Sequence, residues 1–513
     1  MREPSASFDV VIVGTQLGPL VAGALLAKRG FRVLLIGQDD LPASYDAGIG
    51  LPLARGPFTF LPAHSPVARK VLAELALHPL VRRRTHQVDP AFQVVLPGHR
   101  FDVPLDEGLL SREVEREFPA VKRLVDDFLA GLAERDEALD RVLARDLTWP
   151  PQTFLERREL AAAAGALPYG RHGDALDPLA EFPESHPFRL AVELPARFSD
   201  GMDPDHGTGI RRSRHFAAWR RGGAVLAGGY QELRELLLGS LDSHSAVVQP
   251  RDRIDRILPR RGTAGGVRLA ASGEVIGATS VIVGSTLGQL LSLVPERGPF
   301  EELFERIGEP VVRYFRYTLN LVVAAEGLPP AIARDVFFVR RLGRPLSDVN
   351  ALHLQVAPVI EGRRRVVVEA LVPRRGVEEV AEYAVTLRER LLRSLETLLP
   401  FLRPHLLLVD SPHDGRDILD LRAGVSRAPA EPWTRGPQTM EPVYGFPVAT
   451  ALGVCALPVR TPIRRLYLCN RQVVPGLGLE GEFLAAHSAA RVVAKADRKL
   501  DWMRRSRWRT MEA

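Results

Sequence analysis

Between Val10 and Ala27 the chain runs eighteen residues, VVIVGTQLGPLVAGALLA, without a charge, which meets the crude length requirement for a membrane span. The flanks argue otherwise. Glu3 and Asp9 precede the segment and Lys28, Arg29 and Arg32 follow it, whereas a cleavable signal carries its positive charge first and a small-residue cleavage site afterwards. An uncleaved anchor with its C-terminal side in the cytoplasm is the alternative. The internal pattern favours strand, turn, helix, strand. VVIVG is a β-run buried on both faces, Gly14 to Pro19 a turn, Leu20 to Arg29 a short Ala/Leu helix capped by Gly30, and Val33 to Ile36 a second parallel strand. Such a βαβ unit opens a doubly wound α/β sheet.

A chain of 513 residues exceeds what one core sustains and predicts two or more domains. With 46% hydrophobic and 25% charged residues, a disordered or collagen-like chain is excluded. Cys455 and Cys469 are the two cysteines, too few for a disulfide framework or a four-cysteine zinc site, and the cytoplasm is the default compartment. A net charge of +6 ordinarily hints at nucleic acid or an anionic membrane. Of the 68 basic residues, however, only five are lysine, and this Arg-over-Lys usage reads as the coding bias of a GC-rich, bacterial genome. Nucleic acid is therefore not an expected partner. Lys495 to Ala513 is the exception, with seven basic residues against three acidic ones. Leu500, Trp502, Met503, Trp508 and Met511 stand among its arginines, a composition suited to an interfacial helix on an anionic membrane and hence to peripheral membrane association. The alternative is an Arg-rich terminal helix packed on the domain or frayed.

The opening βαβ unit resembles the dinucleotide-binding start of FAD-dependent oxidoreductases, and the other landmarks of that superfamily follow in order. Arg220 to Leu241 resembles the glycine-rich turn and helix before the middle of such chains, Ser245 to Gly262 the strand pair after it, and Val281 to Gly284 the returning strand of the nucleotide domain. Arg464 to Val493 is similar to the closing strand, loop and helix of the phytoene desaturase and amine oxidase branch. The resemblance implies an FAD/NAD(P)-binding Rossmann-like doubly wound domain assembled from residues 1–100, 220–295 and 455–495. An inserted α+β substrate-type domain takes 101–219 and 296–454, and 496–513 form the basic tail.

The patterning agrees. Leu110, Val114, Phe118, Val121, Leu124, Val125, Phe128 and Leu132 recur with helical spacing, broken at Pro119. Tyr314 to Val323 and Arg364 to Val372 are β-rich runs, and Ala381 to Leu399 reads as a helix. Residues 150–220, dense in Pro, His, Gly and Ala, are the least periodic and predict a flexible loop or a lid over a substrate cavity.

The cofactor contacts themselves depart from the family's pattern. In a G-x-G-x-x-G turn the second glycine lets backbone approach the pyrophosphate and the third allows close helix packing. Here Gly14 is kept, Gln16 takes the second place and Pro19 the third, with Gly18 beside it to recover part of the packing role. Pro19 also removes one N–H from the anion-binding first turn, although proline is structurally favourable at a helix start. The ribose-binding acid at the end of the second strand falls on Gly37, with Asp39 and Asp40 one or two residues beyond. The closing Gly-Asp, whose carboxylate grips the flavin's ribityl chain in the family, is Asn470-Arg471. Arginine accepts no hydrogen bond; it can pair a phosphate, or a carboxylate such as Asp39 or Asp40. Downstream, Gly476, Gly478 and Gly481 are kept, glycines that either let backbone approach a ring or only serve turn geometry.

Among titratable residues, His206 and His215 flank Arg211, Arg212 and Arg214 without ligand spacing and read as solvated polar surface. No H-E-x-x-H, C-x-x-C pair or P-loop occurs, so no metal is expected. Glu480 and Glu482 sit where they can face a cavity, Glu480 either as a substrate-orienting acid or as a cap for the following helix.

Three contacts to one cofactor are altered while the strands and turns around them persist. The expectation is a phytoene desaturase-like chain whose FAD binding is weakened or lost. Such a cofactor-poor or cofactor-free pseudoenzyme would bind a hydrophobic small molecule or a partner protein, as Rab escort and GDP-dissociation-inhibitor proteins do on a similar fold. The alternative is an active FAD-dependent oxidoreductase that takes hydride from an isoprenoid, lipid-like or amine substrate held between the domains. No catalytic residue is identifiable from the sequence.

Overall fold

The computed structural model describes residues 4–38, 41–47, 52–260, 262–295, 297–380, 382–429 and 434–497. Asp39, Asp40 and residues 498–513 of the tail lie outside them. The opening strand Ala6–Val13 pairs in parallel with Val33–Ile36 on one side and Val275–Val283 on the other. Around this centre the sheet runs Ile254–Arg260, Thr263–Leu269, Val275–Val283, Ala6–Val13, Val33–Ile36 and Val247–Gln249, and the closing strand Leu466–Leu468 also pairs in parallel with Val275–Val283. Three separated stretches of sequence thus share one Rossmann-like sheet.

The opening helix Leu17–Lys28 is buried from Leu17 to Ala27. It lies between the sheet, the helix Gly229–Ser243 and the closing helix Gly478–Ala496. A helix that is apolar all round has to be enclosed, and enclosure in protein explains the uncharged run that mimics a membrane span. Among the described residues no helix is long and apolar enough to cross a membrane.

The inserted part is built on a ten-stranded, mainly antiparallel sheet. At its centre Val311–Ala324 pairs with Arg363–Pro373, Leu406–Asp410 and Glu441–Gly445, and Ala351–Val356 and Asp335–Val339 continue beyond Arg363–Pro373. Phe92–Leu96 and His99–Val103 complete that side of the sheet, so pairing in the second sheet begins before residue 100, the boundary anticipated from the sequence.

Residues 150–220 are not a loop. They contain the helices Phe154–Ala164, Pro187–Ser199 and Gly209–Arg220. Gly209–Arg220 is buried on nearly every side, including Arg211, Arg214 and His215, so these three are core residues and not the solvated surface expected. Their charges are enclosed because each arginine is paired, which removes the polar face that periodicity detects.

Candidate functional site

A cavity of about 500 Å³ lies between the two sheets, within the range of small-molecule sites. The glycine-rich turn supplies Thr15 and Gln16 to its wall, and the buried helix supplies Arg214, His215 and Trp219. The second sheet adds Arg316, His353, Glu369, Glu441 and Tyr444, and the closing loop runs from Asn470 to Glu482. The sequence-predicted positions Gln16, Arg471, Gly478 and Glu480 therefore do converge on one space.

At the opening turn, the Gly14 N–H donates to the Ile36 carbonyl at 2.8 Å. Gln16 is the N-cap residue of the opening helix and makes no capping bond with its side chain, while Thr15 Oγ1 accepts from Arg234 at 2.7 Å. Gly18 packs against the closing strand's end, where a Cβ would stand 3.0 Å from the Cys469 carbonyl oxygen. Pro19 faces Gly284 at the end of the returning strand; a Cβ on Gly284 would lie 2.3 Å from the proline ring. The small residue of this helix–strand contact thus sits on the strand, and the bulk sits on the helix.

Gly37 has a similar explanation. A Cβ there would be 2.1 Å from the Pro250 carbonyl oxygen, so any side chain at this place collides with backbone. The neighbouring Gln38 turns away from the cavity and makes two bonds to the Ile254 backbone, at 3.0 and 3.2 Å. Gly37→Asp, which would restore a carboxylate, is expected to lower stability by about 1–3 kcal/mol through this overpacking, seen as a lower urea midpoint with unchanged slope.

The closing loop is committed to the protein as well. Asn470 Nδ2 donates to the Ser285 carbonyl at 2.6 Å and its Oδ1 accepts from the Gln472 N–H at 3.0 Å. Asp39 and Asp40, the carboxylates expected to pair with Arg471, lie outside the described residues. The Arg471 Nε donates to Glu482 at 2.8 Å, and its other end pairs with Glu441. Burial and Glu441 push the Glu482 carboxyl above the usual range, while Arg471 and the backbone amide of Gly18 favour its ionised form. Gly18 belongs to the first turn of the opening helix, where free amides and the helix dipole attract anions. The Glu482 side chain, braced by Arg471, is thereby placed beside the first turn of the opening helix.

The retained glycines serve internal packing. A Cβ on Gly476 would lie 2.8 Å from Val454 Cα, and one on Gly481 1.9 Å from the Val474 carbonyl oxygen. Gly478 has φ +53, and a Cβ there would be 2.3 Å from the Ser199 carbonyl oxygen, a conformation and a contact that both require glycine.

Two charge clusters organise the cavity wall. In the first, Arg214 grips Glu480 through two bonds of 2.5 and 2.7 Å and also reaches Asp136 at 2.5 Å and Asp140 at 2.8 Å. Glu480 is thus an ion-pair partner of the neighbouring helix. It makes no N-terminal cap, because its carboxylate is already taken. In the second cluster His353 Nε2 lies 3.0 Å from Asp335 and its Nδ1 3.9 Å from Glu369. Arg316 joins Glu369 at 3.1 Å and Glu441 at 4.0 Å, and Glu441 continues to Arg471. The chain of alternating charge ends at Glu482. Burial disfavours the imidazolium of His353, yet its two carboxylate neighbours raise its pKa above the ordinary histidine value. The ring stacks on Phe337 at 4.8 Å and meets Trp219 edge-on. Among the described residues no group of His, Cys, Asp or Glu could hold a metal ion.

Most of the second cluster escaped sequence reasoning. A signal existed: Arg316, His353 and Glu369 each interrupt an otherwise apolar β-run, and a charge enclosed on both sides demands a partner.

The family profile of the NAD(P)-binding Rossmann-like domain matches residues 12–75. No curated protein matches the chain by sequence. Solved structures do. A putrescine oxidase bound to putrescine superposes with a TM-score of 0.58 at 15% identity, covering 96% of this chain and 99% of that one. An oxidoreductase from Methanosarcina mazei gives 0.56 at 15% identity, covering 94% and 99%. A cyclohexylamine oxidase from Brevibacterium oxydans gives 0.53 at 16%, covering 95% and 99%. At these identities the likeness is one of fold.

Proposed function

From a chain that has the FAD-dependent oxidoreductase fold along its whole length, we propose a cofactor-free member of that fold whose interdomain cavity binds a hydrophobic or amphipathic small molecule. The observation that carries this reading is the Glu482 carboxylate, held by Arg471 and facing the Gly18 amide at the start of the opening helix. A pyrophosphate brought to the same amides would meet the Glu482 side chain in place of free donors. Among the described residues the contacts a dinucleotide uses are altered. Gly37 offers no ribose acceptor, and Asn470 and Arg471 are bonded to protein where a carboxylate would grip the ribityl chain.

The cavity wall supports a ligand that is apolar in its body and polar at one end. Phe58, Tyr230, Phe198, Trp219 and Leu477 line it together with the charged clusters. The second reading, an active flavoprotein oxidising an isoprenoid, lipid-like or amine substrate, draws on the whole-length likeness to two amine oxidases and an oxidoreductase.

Absorbance and FAD titration of the purified protein separate the two. The expected result is no flavin band on isolation and no saturable FAD binding in the micromolar range. Stoichiometric flavin on the purified chain would overturn the cofactor-free reading.

A further inference from the structure

Away from the cavity, the helix Phe154–Ala164 begins with two large apolar residues in solvent, Phe154 at 75% and Leu155 at 62% exposure. Arg157, Arg158, Ala161 and Ala162 continue the exposed face, while Glu156 and Leu160 turn inward. The first turn is held firmly. Thr153 and Glu156 form a reciprocal capping box, the Gln152 side chain bonds both the N–H and the carbonyl of Arg460 at 2.7 and 2.9 Å, and Arg460 bonds both oxygens of Glu156 at 2.7 and 3.0 Å.

Arg460 in turn borders a surface groove with Arg464, Arg465 and Lys495, whose acidic lining residues are Asp9 and Asp497. Among the described residues Arg464, Arg465 and Lys495 form no salt bridge, whereas the neighbouring Arg460 pairs with Glu156 and Arg491 with Asp146. The groove lies where the closing helix ends, and residues 498–513 follow it in sequence with six basic residues, two acidic ones and two tryptophans.

We propose that this end of the molecule docks on the surface of an anionic lipid bilayer. Phe154 and Leu155 enter the boundary between headgroups and acyl chains, and Arg157, Arg158, Arg464, Arg465 and Lys495 meet lipid phosphates. Adjacent exposed apolar residues flanked by cations match such an interface better than a protein one, whose centre is depleted of charge. The inference is independent of whether flavin binds.

The test is flotation of the full chain with phosphatidylcholine vesicles, with and without phosphatidylglycerol. Binding is expected only to the anionic vesicles and falls with added salt. F154S/L155S and R464E/R465E are each expected to weaken it about tenfold or more, with unchanged circular dichroism and melting temperature as the folding control. Deleting residues 498–513 should weaken binding without abolishing it. The proposal is overturned by absence of flotation with anionic vesicles, by equal binding to neutral ones, or by full binding in both double variants. It also fails if the deletion alone abolishes binding while both double variants are neutral. A salt-insensitive dimer lost in F154S/L155S, without vesicle binding, would assign the patch to a second copy of the chain instead.

Discussion

Arg214→Ala is expected to lower stability by about 3–5 kcal/mol at neutral pH, the range for removing one partner of a buried ion pair. Arg214 is 3% exposed and Glu480 and Asp136 are each 9% exposed, so neither carboxylate can turn to bulk water. Arg221 stays within reach of Asp136 and Asp140, at 2.7 and 3.2 Å, but nothing else in the cluster replaces the two bonds to Glu480. The pH dependence gives an independent readout. Burial pushes Glu480 up and Arg214 more than offsets it, so its folded pKa lies below the unfolded value. In the parent that contribution is present above the unfolded value and is lost as pH falls through the folded one. Without Arg214, burial dominates and the folded pKa moves above the unfolded value, so the penalty is greatest at neutral pH and shrinks on acidification. The gap between variant and parent in urea denaturation should therefore be smaller near about pH 5 than near about pH 8. Arg214→Ala with Glu480→Gln should recover part of the loss. A loss independent of pH and unrelieved by the second substitution would mean that Arg214 acts through packing alone.

Arg471→Ala combined with Glu482→Gln is expected to raise affinity for inorganic pyrophosphate on the order of tenfold, about 1.4 kcal/mol, by removing the carboxylate from the opening helix's first turn. Arg471→Ala alone should do the opposite. It leaves Glu441 and Glu482 facing each other and is expected to cost about 1–3 kcal/mol of stability. The figure is below that for Arg214 because Arg471 and Glu441 are 41% and 43% accessible along the cavity wall, where water screens them. Isothermal titration with pyrophosphate and urea denaturation of both variants give the two readouts. If the double variant binds pyrophosphate no better than the parent, the carboxylate is not what closes the seat.

The Rossmann-like half was legible because strands buried on both faces leave unbroken apolar runs such as Val10–Val13 and Val33–Ile36, and because Gly14 and Gly30 mark the turns between them. The altered cofactor positions were legible one by one, yet their causes were not. Gly37 is dictated by Pro250, and Arg471 by Glu441 and Glu482, partners that only the folded chain brings near. The buried helix Gly209–Arg220 failed to register for a different reason. Arg211, Arg214 and His215 interrupt its apolar pattern, and hydropathy assigns such residues to solvent unless their counter-charges, on Asp200, Glu480 and Asp136, are known. Strand charges at Arg316 and Glu369 announced a polar interior, but the pairing that joins them follows from the register of Val311–Ala324 against Arg363–Pro373.

The contact between Pro19 and Gly284 imposes an order on the substitutions that can reach this chain. A side chain at position 284 cannot coexist with the proline ring, whereas glycine at both positions leaves only a small void. Proline at 19 is therefore compatible only with glycine at 284. The constraint runs one way: position 19 can change freely while 284 stays glycine, whereas any side chain at 284 requires the proline to be gone first.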